Sequence, residues 1–193
     1  MVSDAGSSRV AARSTAWWGT ALTVGVLASM LSTIVFAALY LRTGAAADAF
    51  LPAGDAPGIR GPLLVLAVAI VSVVPVAWAH GAVRVRSGGR LQAGSALGSL
   101  LGGGVLLAAA LDLATQPFRW DDHAFGSVYW LGVGFHGLTT LAGVGMLGYA
   151  QVHAWRGALE ERGRGVAAST ALLWYYVVAG WAVLYLALLG VSR

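Results

Sequence analysis

Few residues in this sequence could carry chemistry. Its 193 residues include four His, six Asp, two Glu and no Cys. The absence of cysteine excludes disulfides, thiolate metal ligands and cysteine nucleophiles. The remaining residues form no nucleophile–base pair, no metal-ligand spacing and no pair of carboxylates within an apolar segment. The sequence therefore predicts a chain with no catalytic residues and no metal site.

His136 is the polar residue that most needs an explanation, because it lies near the middle of a long apolar stretch. An imidazole at that depth in a membrane is costly unless it is paired or faces a cavity. Haem ligation, a proton relay and a contact to a lipid or partner helix are the functional alternatives. The structural alternative is a hydrogen bond to a neighbouring helix through a Tyr, Ser or Thr. We expect His136 to order a helix–helix contact within the chain.

The other histidines lie at the ends of apolar stretches. His80 and His153 are predicted at the same membrane surface, so a haem held between them at shallow depth remains an alternative. His123 is flanked by Asp121 and Asp122, and a surface metal site there is conceivable. A hydrated loop is the interpretation that we favour for this third position.

Asp112 lies near the end of the third apolar stretch. Inserting an Asp costs about 2.5–3.5 kcal/mol at the centre of a membrane helix, and less toward the interface. Arg119 follows seven residues later and is a plausible partner. We therefore expect a structural pair rather than a proton pathway.

The composition indicates what must position these side chains. Hydrophobic residues make up 58% of the sequence and charged residues 10%, whereas soluble domains carry about 25% charged residues. Five apolar stretches are each close to the length of about 20 residues that spans a bilayer. They cover residues 17–41, 61–83, 94–113, 125–149 and 168–190. The predicted fold is all-α, with five transmembrane helices in one domain spanning residues 1–193.

The distribution of arginines predicts which side of the membrane each end of the chain occupies. All twelve basic residues are Arg, and eight of them fall on one side of the predicted bundle. Those eight are Arg9, Arg13, Arg84, Arg86, Arg90, Arg156, Arg162 and Arg164. The positive-inside rule then places the N-terminus in the cytoplasm and the C-terminus outside. Because the arginines are divided among short connections, they form no basic face for nucleic acid.

Residues 125–143, FGSVYWLGVGFHGLTTLAG, resemble the signature of haem–copper oxidase subunit III. In that family an aromatic-Gly-Ser opening leads to Gly-Phe-His-Gly within a membrane helix. The core of the motif is matched by Gly134, Phe135, His136 and Gly137. The last stretch has aromatics where the family places them, at Trp174, Trp181 and Tyr185. The first stretch is similar at both ends, at residues 17–19 and 38–42.

The sequence also departs from the family. The first stretch lacks the usual Glu, Thr139 replaces a second His, and Tyr175 and Val178 replace a His and an Asp of the last helix. Of the usual polar groups within the membrane, His136 remains. The resemblance therefore implies a divergent, five-helix bacterial form.

The resemblance implies a non-catalytic subunit III of a proton-translocating terminal oxidase in the aerobic respiratory chain. Such a subunit stabilises the catalytic subunit, supports proton uptake and binds no metal. Its partners would be subunits I and II, which hold the haem and copper, and membrane phospholipids. The expected membrane is the bacterial or archaeal plasma membrane. The matched residues listed above would make structural, lipid or subunit contacts. The alternatives are an accessory protein of a nitric oxide reductase-type complex, a haem-b membrane anchor, and a small transporter or channel.

Overall fold

The fold is described by a computed structural model over residues 15–44, 46–156 and 161–193. Within these ranges all regular structure is helical. The helices are α1 (Thr15–Gly44), α2 (Ala47–Phe50), α3 (Arg60–Ala82), α4 (Gly88–Thr115), α5 (Ala124–Trp155) and α6 (Glu161–Val191). All except α2 are long and apolar enough to cross a membrane. The predicted all-α fold with five membrane-spanning helices is therefore confirmed. The orientation of its termini stays a prediction, and Arg9 and Arg13, on which it partly rests, lie outside the described residues.

Several helices begin before the apolar stretch that predicts them. The helix α4 starts at Gly88, six residues before the predicted start at residue 94. Its N-cap is Ser87, whose side chain accepts a hydrogen bond from the Arg90 amide at 3.4 Å. Hydropathy marks the part of a helix that lies in lipid, whereas a capping residue marks where the helix begins. A helix that starts several residues before its apolar stretch is therefore expected at a membrane surface.

The five long helices form one bundle in which α6 contacts α1, α3 and α5, while α4 packs against α3 and α5. The helix α1 contributes least to the interior. In its most apolar 18-residue window 11% of the residues are buried, against 33–44% in the other four long helices. The buried polar residues, among them Asp112 and His136, belong to α3, α4, α5 and α6.

Glycines spaced four residues apart allow α4 to pack closely. A Cβ atom on Gly94 would lie 2.7 Å from the Pro75 carbonyl oxygen of α3, and one on Gly98 would lie 2.9 Å from Val76. A Cβ on Gly102 would lie 2.6 Å from Trp174 of α6. Small residues at such spacing let backbones approach each other where no hydrophobic effect drives helices together.

The glycines of α5 divide between two faces. Gly132 and Gly143 face the bundle, because a Cβ on either would meet Leu184 or Trp174 within about 3 Å. Four others would carry a Cβ with no atom of another element within 4 Å, namely Gly134, Gly137, Gly145 and Gly148. The Gly-Phe-His-Gly segment thus directs its two glycines away from the described bundle and its histidine into it.

Candidate functional site

The imidazole of His136 joins α5 to α6. The side chain is fully buried, and its Nε2 donates a hydrogen bond to the main-chain carbonyl of Val177 at 2.8 Å. A carbonyl oxygen can only accept, so Nε2 carries the proton. Nδ1 is buried and has no hydrogen-bond partner. The expected contact between helices is present, but the partner is a main-chain carbonyl rather than the expected hydroxyl.

The ring of His136 fits against a gap in α6. A Cβ atom on Gly180 would overlap the imidazole, so only glycine leaves room for it there. The indole of Trp181 meets the imidazole edge to face, with ring centroids 4.9 Å apart and planes at 85°. Gly180 is not among the residues that the sequence singled out. Its only signal in the sequence is its position directly before Trp181.

Thr140 extends this contact along α5. Its hydroxyl donates to the His136 carbonyl at 2.8 Å and accepts from the Trp181 indole N–H at 3.0 Å. We call His136, Thr140, Val177, Gly180 and Trp181 the His136 cluster. Its hydrogen bonds all join neutral groups to main-chain or hydroxyl oxygens. This arrangement suits a fixed contact between α5 and α6.

A second buried cluster surrounds Asp112 of α4, which is 1% exposed. The carboxylate accepts hydrogen bonds from the hydroxyls of Tyr129 in α5, at 2.7 Å, and Tyr185 in α6, at 2.9 Å. Its other oxygen accepts from the Gln116 amide at 2.8 Å. A Cβ atom on Gly61 of α3 would overlap the carboxylate. We call these five residues the Asp112 cluster, and it brings four helices together.

The partner that the sequence suggested for Asp112 was wrong. Arg119 lies in the connection after α4, where its guanidinium is 3.7 Å from Asp121 and 75% exposed. Every hydrogen bond to Asp112 instead comes from a neutral donor. Both oxygens of the Asp112 carboxyl group are therefore engaged by neighbouring side chains. The expectation of a structural role fits this geometry.

Trp174 of α6 occupies a third position between helices. Its indole N–H donates to the Ser72 hydroxyl of α3 at 2.9 Å, and that hydroxyl donates to the Ala69 carbonyl at 2.6 Å. The ring is fully buried beside Gly102 and Gly143. Trp174, Trp181 and Tyr185 thus each use a polar atom to bind a different helix.

For the haem alternative at His80 and His153, the structure describes the space beside His80 and the packing of the His153 ring. His80 lines a crevice between α3, α4, α5 and α6 with a volume of about 10 Å³. Such a space holds about one water molecule, whereas sites for larger ligands occupy several hundred Å³. The ring of His153 packs edge to face on Tyr149 of its own helix, with centroids 4.5 Å apart. The crevice beside His80 is therefore far too small for a haem.

The conceivable metal site at His123, Asp121 and Asp122 is not formed. Asp122 accepts from the main-chain amide of Arg119 at 2.7 Å, and Asp121 pairs with the Arg119 guanidinium. Within residues 15–44, 46–156 and 161–193, no three His, Asp or Glu side chains are grouped as metal ligands.

Comparison with known proteins decides the family. Residues 52–191 match the family described as Cytochrome c oxidase subunit III. The chain belongs to this family. The matched range includes every residue of the His136 cluster and the Asp112 cluster.

Three curated relatives of this subunit III family member carry the name cytochrome c oxidase subunit 3. Cytochrome c oxidase subunit 3 of Lumbricus terrestris is 32% identical over 127 residues, which are 65% of this chain and 48% of that protein. The protein of the same name from Carassius auratus is 34% identical over 134 residues, which are 66% and 49% of the two chains. That of Spodoptera frugiperda is 26% identical over 127 residues, which are 66% and 86%. The chain spans about half the length of most of the curated relatives it matches.

The family match begins after α1 and α2. The similarity of residues 17–19 and 38–42 to the family therefore stays a prediction. The matched helices are those that carry the buried polar clusters, and the least buried helix lies outside the match.

Proposed function

We propose that this chain is the non-catalytic subunit III of a terminal oxidase that reduces oxygen in an aerobic respiratory chain. The observation that carries the proposal is the family match over residues 52–191. The role that we assign is to stabilise the catalytic subunit and to support its proton uptake. The expected partners are subunits I and II, holding haem and copper, together with phospholipids. The expected location is a bacterial or archaeal plasma membrane.

The geometry of the buried polar groups supports a packing role. The His136 cluster and the Asp112 cluster each tie side chains of one helix to another through short hydrogen bonds. Hydrogen bonds between helices at fixed distances restrict how those helices can pack, because a buried polar group is costly when it loses its partner. A rigid bundle is what a supporting subunit needs to hold a neighbour.

The outward glycines support a contact with other molecules. Gly134, Gly137, Gly145 and Gly148 leave α5 with a smooth face beside its exposed leucines. Such a face accommodates either the acyl chains of lipids or a closely packed helix of another subunit. This face contains the two glycines of the Gly-Phe-His-Gly segment, and we assign to them the lipid or subunit contact.

The proposal is tested by purifying the chain with a C-terminal affinity tag from its own membranes in a mild detergent. We expect a haem- and copper-containing oxidase to copurify and to reduce oxygen. Haem bands should belong to the complex and be absent from the chain expressed alone. A copurified complex that reduces nitric oxide but not oxygen would establish the nitric oxide reductase alternative. About one haem per isolated chain would establish the haem-b anchor.

The supporting role has its own test. The complex should be prepared with and without this chain, and its oxygen reduction rate measured across a range of pH. We expect unchanged haem spectra, a lower thermal stability without the chain, and a rate that falls more steeply as pH rises, when protons become scarce. Equal stability and equal pH profiles would contradict both roles.

A further inference from the structure

His123 caps the start of α5 and faces a carboxylate at the same time. It is the N-cap residue of α5, and its Nδ1 accepts a hydrogen bond from the Gly126 amide at 3.0 Å. The side chain is 4% exposed, and its Nε2 lies 3.8 Å from Asp55 in the connection between α2 and α3. The ring packs against Phe118 and Phe125, with centroids 5.2 Å and 6.3 Å away.

These contacts determine where the proton of the neutral ring resides. Gly126 donates its N–H, so Nδ1 must offer a lone pair and the proton must sit on Nε2. A ring in this state has no free nitrogen with which to bind a metal, which is why His123 is not a metal ligand here. The Nε2 atom is buried and has no hydrogen-bond partner, since 3.8 Å from Asp55 is too long.

A second proton on this ring would have two effects of opposite sign. It would place N–H groups of His123 and Gly126 against each other, and a positive charge at a helix N-terminus, where the dipole disfavours cations. It would also create an attraction between Nε2 and the Asp55 carboxylate. The hydrogen bond at the helix start cannot survive the change, whereas the contact with Asp55 gains from it.

We propose that His123 is a proton-operated switch at one surface of the bundle. In the neutral form it caps α5, and on taking up a proton it releases α5 and pairs with Asp55. The start of α5 would then loosen, while the connection between α2 and α3 is drawn toward the ring. This inference does not depend on the proposed function.

The charged groups around His123 favour the switch. Asp55 faces it from the α2–α3 connection, and Asp121 and Asp122 adjoin it in sequence. The nearby cation, Arg119, is engaged by Asp121 at 3.7 Å. Imidazole is the side chain whose charge ordinarily changes between about pH 5 and 8, which sets the pH range of the experiment.

The experiment is amide hydrogen exchange at the start of α5 in the purified full-length chain, between about pH 5 and 8. The rates are corrected for the intrinsic effect of pH on exchange. Loss of an N-cap should reduce the protection of the Gly126 amide about five-fold in acid. His123→Asn should abolish this pH dependence, because Asn caps a helix without titrating. Asp55→Asn should shift the transition to lower pH, because the protonated ring loses its counter-charge.

A matched control and a second measurement make the test decisive. His153→Gln removes another imidazole from α5, at its far end, and should leave the response of Gly126 unchanged. Wild-type protection that does not vary with pH would overturn the proposal, as would an undiminished pH response in His123→Asn. The ring nitrogen spectrum of the wild-type protein should show a bare Nδ1 and a protonated Nε2 at neutral pH. The reverse assignment would also overturn the switch.

Discussion

A Cβ atom on Gly180 would overlap the imidazole of His136, so these two residues fit together only because position 180 has no side chain. The close approach brings Nε2 within 2.8 Å of the Val177 carbonyl, one turn earlier on α6. The joint between α5 and α6 therefore depends equally on a polar residue in one helix and on a missing side chain in the other.

Gly180→Ala should weaken this joint. The added methyl group must displace a ring that is surrounded by Trp181 and Tyr176, which typically costs about 1–3 kcal/mol in a packed interior. The measurement is the midpoint of thermal unfolding in detergent. The matched control is Gly190→Ala in the same helix, where a Cβ meets nothing within 4 Å. Equal midpoints for the two variants would contradict the observed fit.

His136→Leu should remove the hydrogen bond to Val177 and lower stability by about 1 kcal/mol, a typical value for polar contacts between membrane helices. Haem absorption of the assembled complex should be unchanged, because the imidazole is engaged with α6. His153→Leu, on the same helix, should have a smaller effect on the unfolding midpoint. Loss of a haem band in His136→Leu would show that this residue is a ligand, and the packing role would be wrong.

Asp112→Leu should be among the most destabilising single substitutions in α4. It leaves the hydroxyls of Tyr129 and Tyr185 buried without an acceptor, at a cost of about 1–3 kcal/mol for each unpaired group. Tyr185→Phe should cost less in the wild type, and in Asp112→Leu it should recover part of the lost stability, because it removes one of the unpaired hydroxyls. A double-mutant cycle in unfolding free energy measures this coupling.

Arg119→Ala separates the observed partners of Asp112 from the one that the sequence suggested. Its side chain is 75% exposed and pairs with Asp121, and exposed pairs contribute about 0–1 kcal/mol. We expect almost no change in the unfolding midpoint. A loss as large as that of Asp112→Leu would restore the ion pair with Asp112 as the correct description.

Gly102→Ala tests the packing of α4. Its Cβ would lie 2.6 Å from the ring of Trp174 and from Val144, so we expect a loss of about 1–3 kcal/mol. Gly103→Ala is the matched control, since the neighbouring position faces open space. The difference between their unfolding midpoints reports the contact, and a larger loss for Gly103 would mean that α4 is rotated from the orientation described.

The sequence could predict how deep a residue lies in the membrane, but not which neighbouring helix its side chain faces. The number of membrane helices and the burial of His136 follow from hydropathy, because lipid imposes a length and a polarity on each helix. Arg119 seemed close to Asp112 in sequence, yet α4 ends at Thr115 and the chain turns away. Tyr129 and Tyr185 reach the carboxylate only because α5 and α6 pack in one rotational setting. Gly180 matters for the same reason, and no periodicity within α6 reveals which ring lies opposite it.

The direction that the glycines face also could not be predicted from the sequence. Regular spacing predicts that a small-residue face exists, and on α4 that face packs within the chain, as at Gly98. On α5 the spacing is similar, but Gly134 and Gly145 face outward. Spacing alone cannot distinguish the two outcomes, because they depend on which neighbours the helix has in three dimensions.

The Asp112 cluster is complete only when all four of its helices are in place. Helices enter the membrane as they are synthesised, and the carboxylate of α4 arrives before Tyr129 of α5 and well before Tyr185 of α6. Until the final helix is inserted, an acidic group near the membrane boundary lacks one of its donors. A nascent chain that stops short of Tyr185 therefore has one hydrogen-bond donor to Asp112 fewer than the complete bundle.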